Sequence, residues 1–152
     1  ELIYICQIMQ NIKILGAPKD LLNEDVVFSK LLQYASEDGF TIDALEYNFV
    51  DSEKMHSLNK KYLDHSTDTD IITFDYSVEK QISAEVYISK QLMFENAETH
   101  SQTIENEAVR LVSHALFHCL GYNDKSSKEK NAMRAKEEEF IFDVSRETKQ
   151  DV

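Results

Sequence analysis

Three glycines, one proline and no tryptophan are spread over 152 residues. So few turn formers exclude Gly- or Pro-rich linkers and low-complexity tracts, and no internal repeat is visible. Cysteine is almost as scarce. Cys6 and Cys119 are far apart, and Cys119 lies between apolar residues, which argues against a disulfide framework and fits a reducing cytoplasm. Positive charge is the third shortage: 16 Lys and Arg against 28 Asp and Glu leave a formal net charge of −12. A chain this acidic repels polyanions, so it is not a tight, non-specific nucleic-acid binder, and any nucleic-acid role needs a local basic patch or a partner. No apolar run is long enough to span a membrane. The first ten residues, ELIYICQIMQ, lack the basic flank and cleavage pattern of a signal peptide and read as a strand. What is present is a chain of 42% hydrophobic content, the size of one globular domain over residues 1–152.

Periodicity then places the elements. Gly16-Ala17-Pro18 closes a first extended region, and Val27, Leu31, Leu32 and Ala35 recur at helical spacing between Glu24 and Glu37. Residues 45–50 alternate as a strand does, and Met55, Leu58, Asn59 and Tyr62 mark a helix over 52–63 with Ser52 as its N-cap. Two β-rich runs, 71–74 and 86–88, flank a polar hairpin loop. A short helix over 90–98 follows, then a helix from Ile104 to Leu120 whose second half is apolar nearly all round, ended by Gly121. An amphipathic helix over 127–146 carries Met133, Phe140, Ile141 and Val144 among many charges. The order βαβαββααα predicts an α+β fold: a small mixed four-stranded sheet packed with about five helices, the central one buried.

That central helix ends in HALFHCLGYND, residues 114–124. Positions i and i+4 of a helix share a face, so His114 and His118 can direct two imidazole nitrogens at one ion. Gly121 can turn the chain back, and the loop it starts carries Asp124 toward the same point. Taken singly, each residue has an ordinary reading: a hydrogen-bonded core histidine, a C-cap glycine, a turn aspartate. Together, at H-x-x-x-H-x-x-G-x-x-D spacing and on a helix too apolar for two unpaired imidazoles, they predict a metal site of His114, His118 and Asp124. Two histidines and one carboxylate leave a fourth position open, as in catalytic zinc sites. Iron or nickel accept similar ligands, so zinc is a preference. Peptide hydrolysis with this spacing relies on a glutamate after the first histidine; Ala115 stands there, which argues against a protease.

HALFHCLGYND followed by a charged helix, with LNKKYLDHSTDTDIITF upstream and AEVYIS between, resembles the YbeY family of metal-dependent endoribonucleases, the ribosomal RNA maturation factors. In that family the signature runs H-G-x-L-H-L-x-G-Y-D-H, after segments of the T-D-V-L-S-F and G-D-I-x-I-S types. The likeness covers residues 45–142. His114 and His118 match the first two family ligands, Gly121 and Tyr122 the G-Y pair, and Thr69-Asp70 with Phe74 the strand segment. Asn123-Asp124 stands where the family usually has D-H, so the third ligand becomes a carboxylate. Leu63 stands where the family usually carries a phosphate-gripping arginine; His65, Lys60 and Lys61 are the nearest cationic replacements, with His65 and Lys61 the candidate catalytic residues. Asp64, Asp68 and Asp70 read as turn and helix caps more than as ligands of a second ion.

The resemblance implies a zinc-dependent, single-strand-specific endoribonuclease acting on precursor ribosomal RNA, not DNA, at the 3′ end of the small-subunit RNA and in ribosome quality control. It implies the small ribosomal subunit and an assembly GTPase as partners, and a cytoplasmic location with no membrane attachment. Two other readings remain: a metal-stabilised ribosome-assembly factor without catalysis, which Leu63 favours, and a metallopeptidase-like hydrolase, which Ala115 disfavours.

Overall fold

The computed structural model describes residues 11–63 and 69–150. Along the chain run β1 (Ile12–Leu15), α1 (Glu24–Glu37), β2 (Thr41–Val50), α2 (Ser52–Leu58), β3 (Ile71–Asp75), β4 (Gln81–Ser89), α3 (Lys90–Thr99), α4 (Ile104–Cys119) and α5 (Ser127–Gln150). This is the α+β order expected. The strand read into the first ten residues lies outside the described residues.

The sheet is mixed, in the order β1-β2-β4-β3, with β1 and β4 parallel to β2 and β3 antiparallel to β4. Its inner face is built from Leu45, Tyr47 and Phe49 of β2 and Ile82, Ala84, Val86 and Ile88 of β4, all buried. Strand β2 begins four residues before its alternating pattern does, because the register shifts between Ile42 and Ala44. That irregularity absorbs one residue, so Ile42 and Leu45, three apart, both face the core.

The helix expected over 52–63 is α-helical only to Leu58 and then widens into a π-helical turn, Asn59–Leu63. Asn59 is fully buried at the junction; its amide Nδ2 donates to the Met55 carbonyl at 3.0 Å, and its Oδ1 accepts from Thr69 Oγ1 at 3.1 Å. A polar side chain that must find partners inside the fold thus ties the turn to the entry of β3.

Helix α4 lies in the middle of the packing. Val109, Leu111, Val112, Ala115, Leu116 and Phe117 are all at most 2% exposed. The buried Tyr47 hydroxyl donates to the Val112 carbonyl at 2.8 Å, which fixes α4 against β2. Helix α5 packs on α4 through a stripe of Met133, Glu137, Phe140 and Val144, spaced by four, three and four residues. No helix among the described residues is long and apolar enough to cross a membrane.

Candidate metal centre

The C-terminus of α4 builds the site. Gly121 has φ of 100°, and its N–H donates to the His118 carbonyl at 3.0 Å while the Tyr122 N–H donates to the Phe117 carbonyl at 2.9 Å. These two bonds form a Schellman motif, closed by the apolar contact of Phe117 with Tyr122, ring centroids 5.8 Å apart. The reversed chain carries two groups back to the helix end, the Tyr122 carbonyl and the Asp124 side chain. Asp124 is not needed as the cap of α5, because Ser126 and Glu129 form a reciprocal capping box there, at 3.1 and 2.9 Å.

Each histidine is oriented through Nδ1. That of His114 meets Glu137 Oε2 at 2.5 Å, and that of His118 meets the Tyr122 carbonyl oxygen at 3.0 Å. The Tyr122 carbonyl can only accept, so His118 Nδ1 donates to it, and Glu137, with Arg110 at 3.6 Å, is placed to accept from His114 Nδ1 in the same way. Both Nε2 atoms then present lone pairs, and they stand 3.0 Å apart. Two lone pairs at that separation repel unless a cation lies between them. Asp124 Oδ2 completes the triangle, 3.5 Å from His114 Nε2 and 3.4 Å from His118 Nε2. Ligand atoms about 2.0 to 2.1 Å from a tetrahedral zinc lie about 3.3 Å from one another, close to the three edges measured here, 3.0, 3.4 and 3.5 Å. This donor set fits a divalent cation, and all three residues are partly exposed.

Behind His114 lies a charged network that the sequence did not announce. Arg110 Nε and Nη2 donate to the two oxygens of Glu107 at 2.9 and 2.6 Å, Nη2 reaches Asp70 Oδ2 at 3.4 Å, and Nη1 pairs with Glu137. Its hydrogen bonds to Glu107 raise the guanidinium further above its ordinary value, burial pulls it down, and the charges of Glu107, Glu137 and Asp70 add to the rise. Glu107 and Glu137 are 3% and 4% exposed, and Arg110 is the cation that partners both. One sequence signal could have found Glu137: it is the carboxylate in the middle of the apolar stripe of α5.

A cavity of about 870 Å³ opens beside the triad, lined by His114, Asp124, Arg110 and Glu137 and, from the first half of α5, by Lys130 and Arg134. Lys130 and Arg134 are exposed, one helical turn apart, and form no ion pair among the described residues. Sequence reasoning missed them because their face of α5 is set only by its docking on α4. Of the upstream cations, Lys60 and Lys61 are exposed on the π-helical turn, with Lys61 Nζ 5.1 Å from the ring centroid of Tyr62, and neither lines this cavity. His65, Asp64 and Asp68 lie outside the described residues. Asp70 is held by Arg110 and by Asn96 Nδ2 at 3.2 Å.

Known proteins resemble this chain. The family described as Endoribonuclease YbeY matches residues 19–145. Proteins of that name from Flavobacterium johnsoniae and Cytophaga hutchinsonii are each 40% identical to this chain, over 97 and 105 residues, covering 64% and 68% of it and 70% and 73% of themselves. The one from Christiangramia forsetii is 34% identical over 122 residues, 80% of this chain and 85% of its own. The solution structure of TM1509 from Thermotoga maritima superposes with a TM-score of 0.67 at 24% identity, over 92% of this chain and 93% of that one, and so shares the fold. With the match spanning three of the four strands, α4 and most of α5, the chain belongs to the YbeY endoribonuclease family.

Proposed function

We propose that this chain is a metal-dependent, single-strand-specific endoribonuclease with zinc, held by His114, His118 and Asp124, as its cofactor. It acts in the cytoplasm on precursor ribosomal RNA, at the 3′ end of the small-subunit RNA and in ribosome quality control, together with the small subunit and an assembly GTPase. The observation that carries this reading is the triangle of two imidazole lone pairs and one carboxylate oxygen at zinc-ligand spacing. Its open side faces a cavity with room for a strand of nucleic acid.

A divalent ion in this position supplies a nucleophile at neutral pH and polarises a phosphoryl oxygen. The chain's own residues do the rest. Glu137 and the Tyr122 carbonyl hold both rings with Nε2 inward. Lys130 and Arg134 put two cations without an ion pair among the described residues on the cavity wall, where a backbone phosphate approaching the triad can meet them despite the acidic residues that share the lining. On the upstream side, Lys60, Lys61 and His65 are the groups that take over the role of the family's arginine at Leu63. Ala115, fully buried in the core, leaves no carboxylate next to His114 to serve as a peptidase base, which favours phosphodiester over peptide hydrolysis.

The test is a cleavage assay on a 3′-extended small-subunit RNA with the purified protein, run alongside its metal analysis. Stoichiometric zinc, cleavage abolished by a chelator and restored by zinc, and no cleavage by His118→Ala are expected. Full activity and full metal content in His118→Ala would end the proposal.

A further inference from the structure

We infer that Arg110 is a positioning residue for the metal centre: by holding the far oxygen of Glu137 it aims the near one at His114 Nδ1, and so decides which ring nitrogen faces the cation. The inference rests on the metal-site reading above and adds to it a residue that touches no ligand directly.

Three observations support it. First, Arg110 is itself immobilised, with two of its nitrogens engaged by Glu107 one turn earlier on α4 and one of those also by Asp70 at the entry of β3. Only Nη1 remains, and it points at Glu137 Oε1, 3.6 Å away. Second, Glu137 comes from a different helix and is 4% exposed, so water has little access to its oxygens. The torsion that sets a glutamate's oxygens is broad and twofold; a carboxylate anchored at one oxygen only has more freedom to turn, whereas the Arg110 charge 3.6 Å from Oε1 adds an electrostatic restraint to the His114 bond on Oε2. Third, a free neutral histidine prefers its proton on Nε2, the opposite of what the triangle requires. The hydrogen bond at Nδ1 reverses that preference, and the geometry of that bond is what Arg110 controls.

The competing role, a grip on substrate phosphate, fits Arg110 poorly. Three carboxylates, Glu107, Asp70 and Glu137, already surround its one positive charge. An incoming phosphate would add a fourth anion to a group with no charge left to offer.

The experiment reads the ring directly. In metal-free protein, long-range nitrogen–proton NMR of the imidazoles should show His114 with its proton on Nδ1. In Arg110→Met, folded by circular dichroism, a population with the proton on Nε2 should appear, and zinc affinity measured against a chromophoric chelator should fall about 10- to 100-fold. Glu137→Gln should show a comparable loss, and the double variant no further one. A folded Arg110→Met with wild-type tautomer and affinity overturns the inference, as do losses that simply add in the double variant. Should Arg110→Met not fold, Arg110→Lys decides: an ammonium keeps the charge but cannot span Glu107 and Glu137 together, so a smaller shift of the same kind is expected and wild-type behaviour overturns the inference. If wild-type protein binds no zinc, the metal-site reading fails, while the tautomer measurement still tests Arg110.

Discussion

Two regions of the molecule carry the polar groups proposed for function, and they are built in opposite ways. At the seam of α4 and α5, His114, His118, Arg110, Glu107 and Glu137 each have a named partner and a fixed direction. On the π-helical turn, Lys60 and Lys61 stand in solvent, and the firm contact belongs to the buried Asn59 beneath them. The seam holds its charged groups through directed hydrogen bonds and ion pairs, as the groups that support a metal ligand do. The turn offers mobile point charges, adequate for a phosphate but not for aiming a ligand.

The strongest way to break this contrast is His118→Ala. It should lower zinc affinity and RNA cleavage by more than about 100-fold, beyond the range expected for removing a supporting partner of a ligand, as checked by metal analysis and a cleavage assay. Chemical labelling sharpens it next. Burial pushes the Cys119 thiol up to about 12, so at pH 8 almost none is thiolate, and iodoacetamide mapped by mass spectrometry should modify Cys119 only after unfolding. The sign follows: stability from keeping this thiol neutral is complete below its unfolded value of about 8.5 and is lost as pH rises toward about 12. Lys61, exposed on the π-helical turn, should in contrast be labelled by amine reagents in the native protein.

Glycine substitutions give a finer comparison. Gly121 and Gly39 both have positive φ, 100° and 82°, and open space where a Cβ would go. Alanine at either should cost about 1 to 2 kcal/mol in urea unfolding, from backbone strain alone. Only Gly121→Ala should also weaken zinc binding, because only that turn carries Asp124 and the Tyr122 carbonyl; an equal effect of Gly39→Ala on zinc would refute the role given to the turn. The smallest effect is expected on the lysine side. Lys61→Ala should shift stability by less than about 0.5 kcal/mol and, as a phosphate contact, lower the salt dependence of single-stranded RNA binding by about 0.7 in log–log slope. An unchanged slope would remove Lys61 from the RNA path.

What could be read from the sequence was local. The His114, His118, Gly121 and Asp124 spacing works because one helical turn and one Schellman reversal bring four nearby residues together, and helical periodicity is enough to foresee that. The order of strands and helices was legible for the same reason. The first half of β2 was hidden because its register shift breaks the alternation between Ile42 and Leu45. The π-helical turn was hidden because its cause, the pairing of Asn59 with Thr69, is a tertiary contact. The Arg110 network joins residues 23 to 40 positions apart along the chain through α4, α5 and β3. Only the odd placement of Glu137 among Met133, Phe140 and Val144 hinted at it, and a carboxylate in an apolar stripe says that a partner exists without saying which.

The bond between His114 and Glu137 spans 23 residues, so the imidazole is translated well before the carboxylate that steadies it. A growing chain that has emerged only as far as the GYND loop already carries both histidines, yet has nothing to set the first of them. Completion of this candidate centre is therefore a late event in biosynthesis, reached when α5 docks on α4.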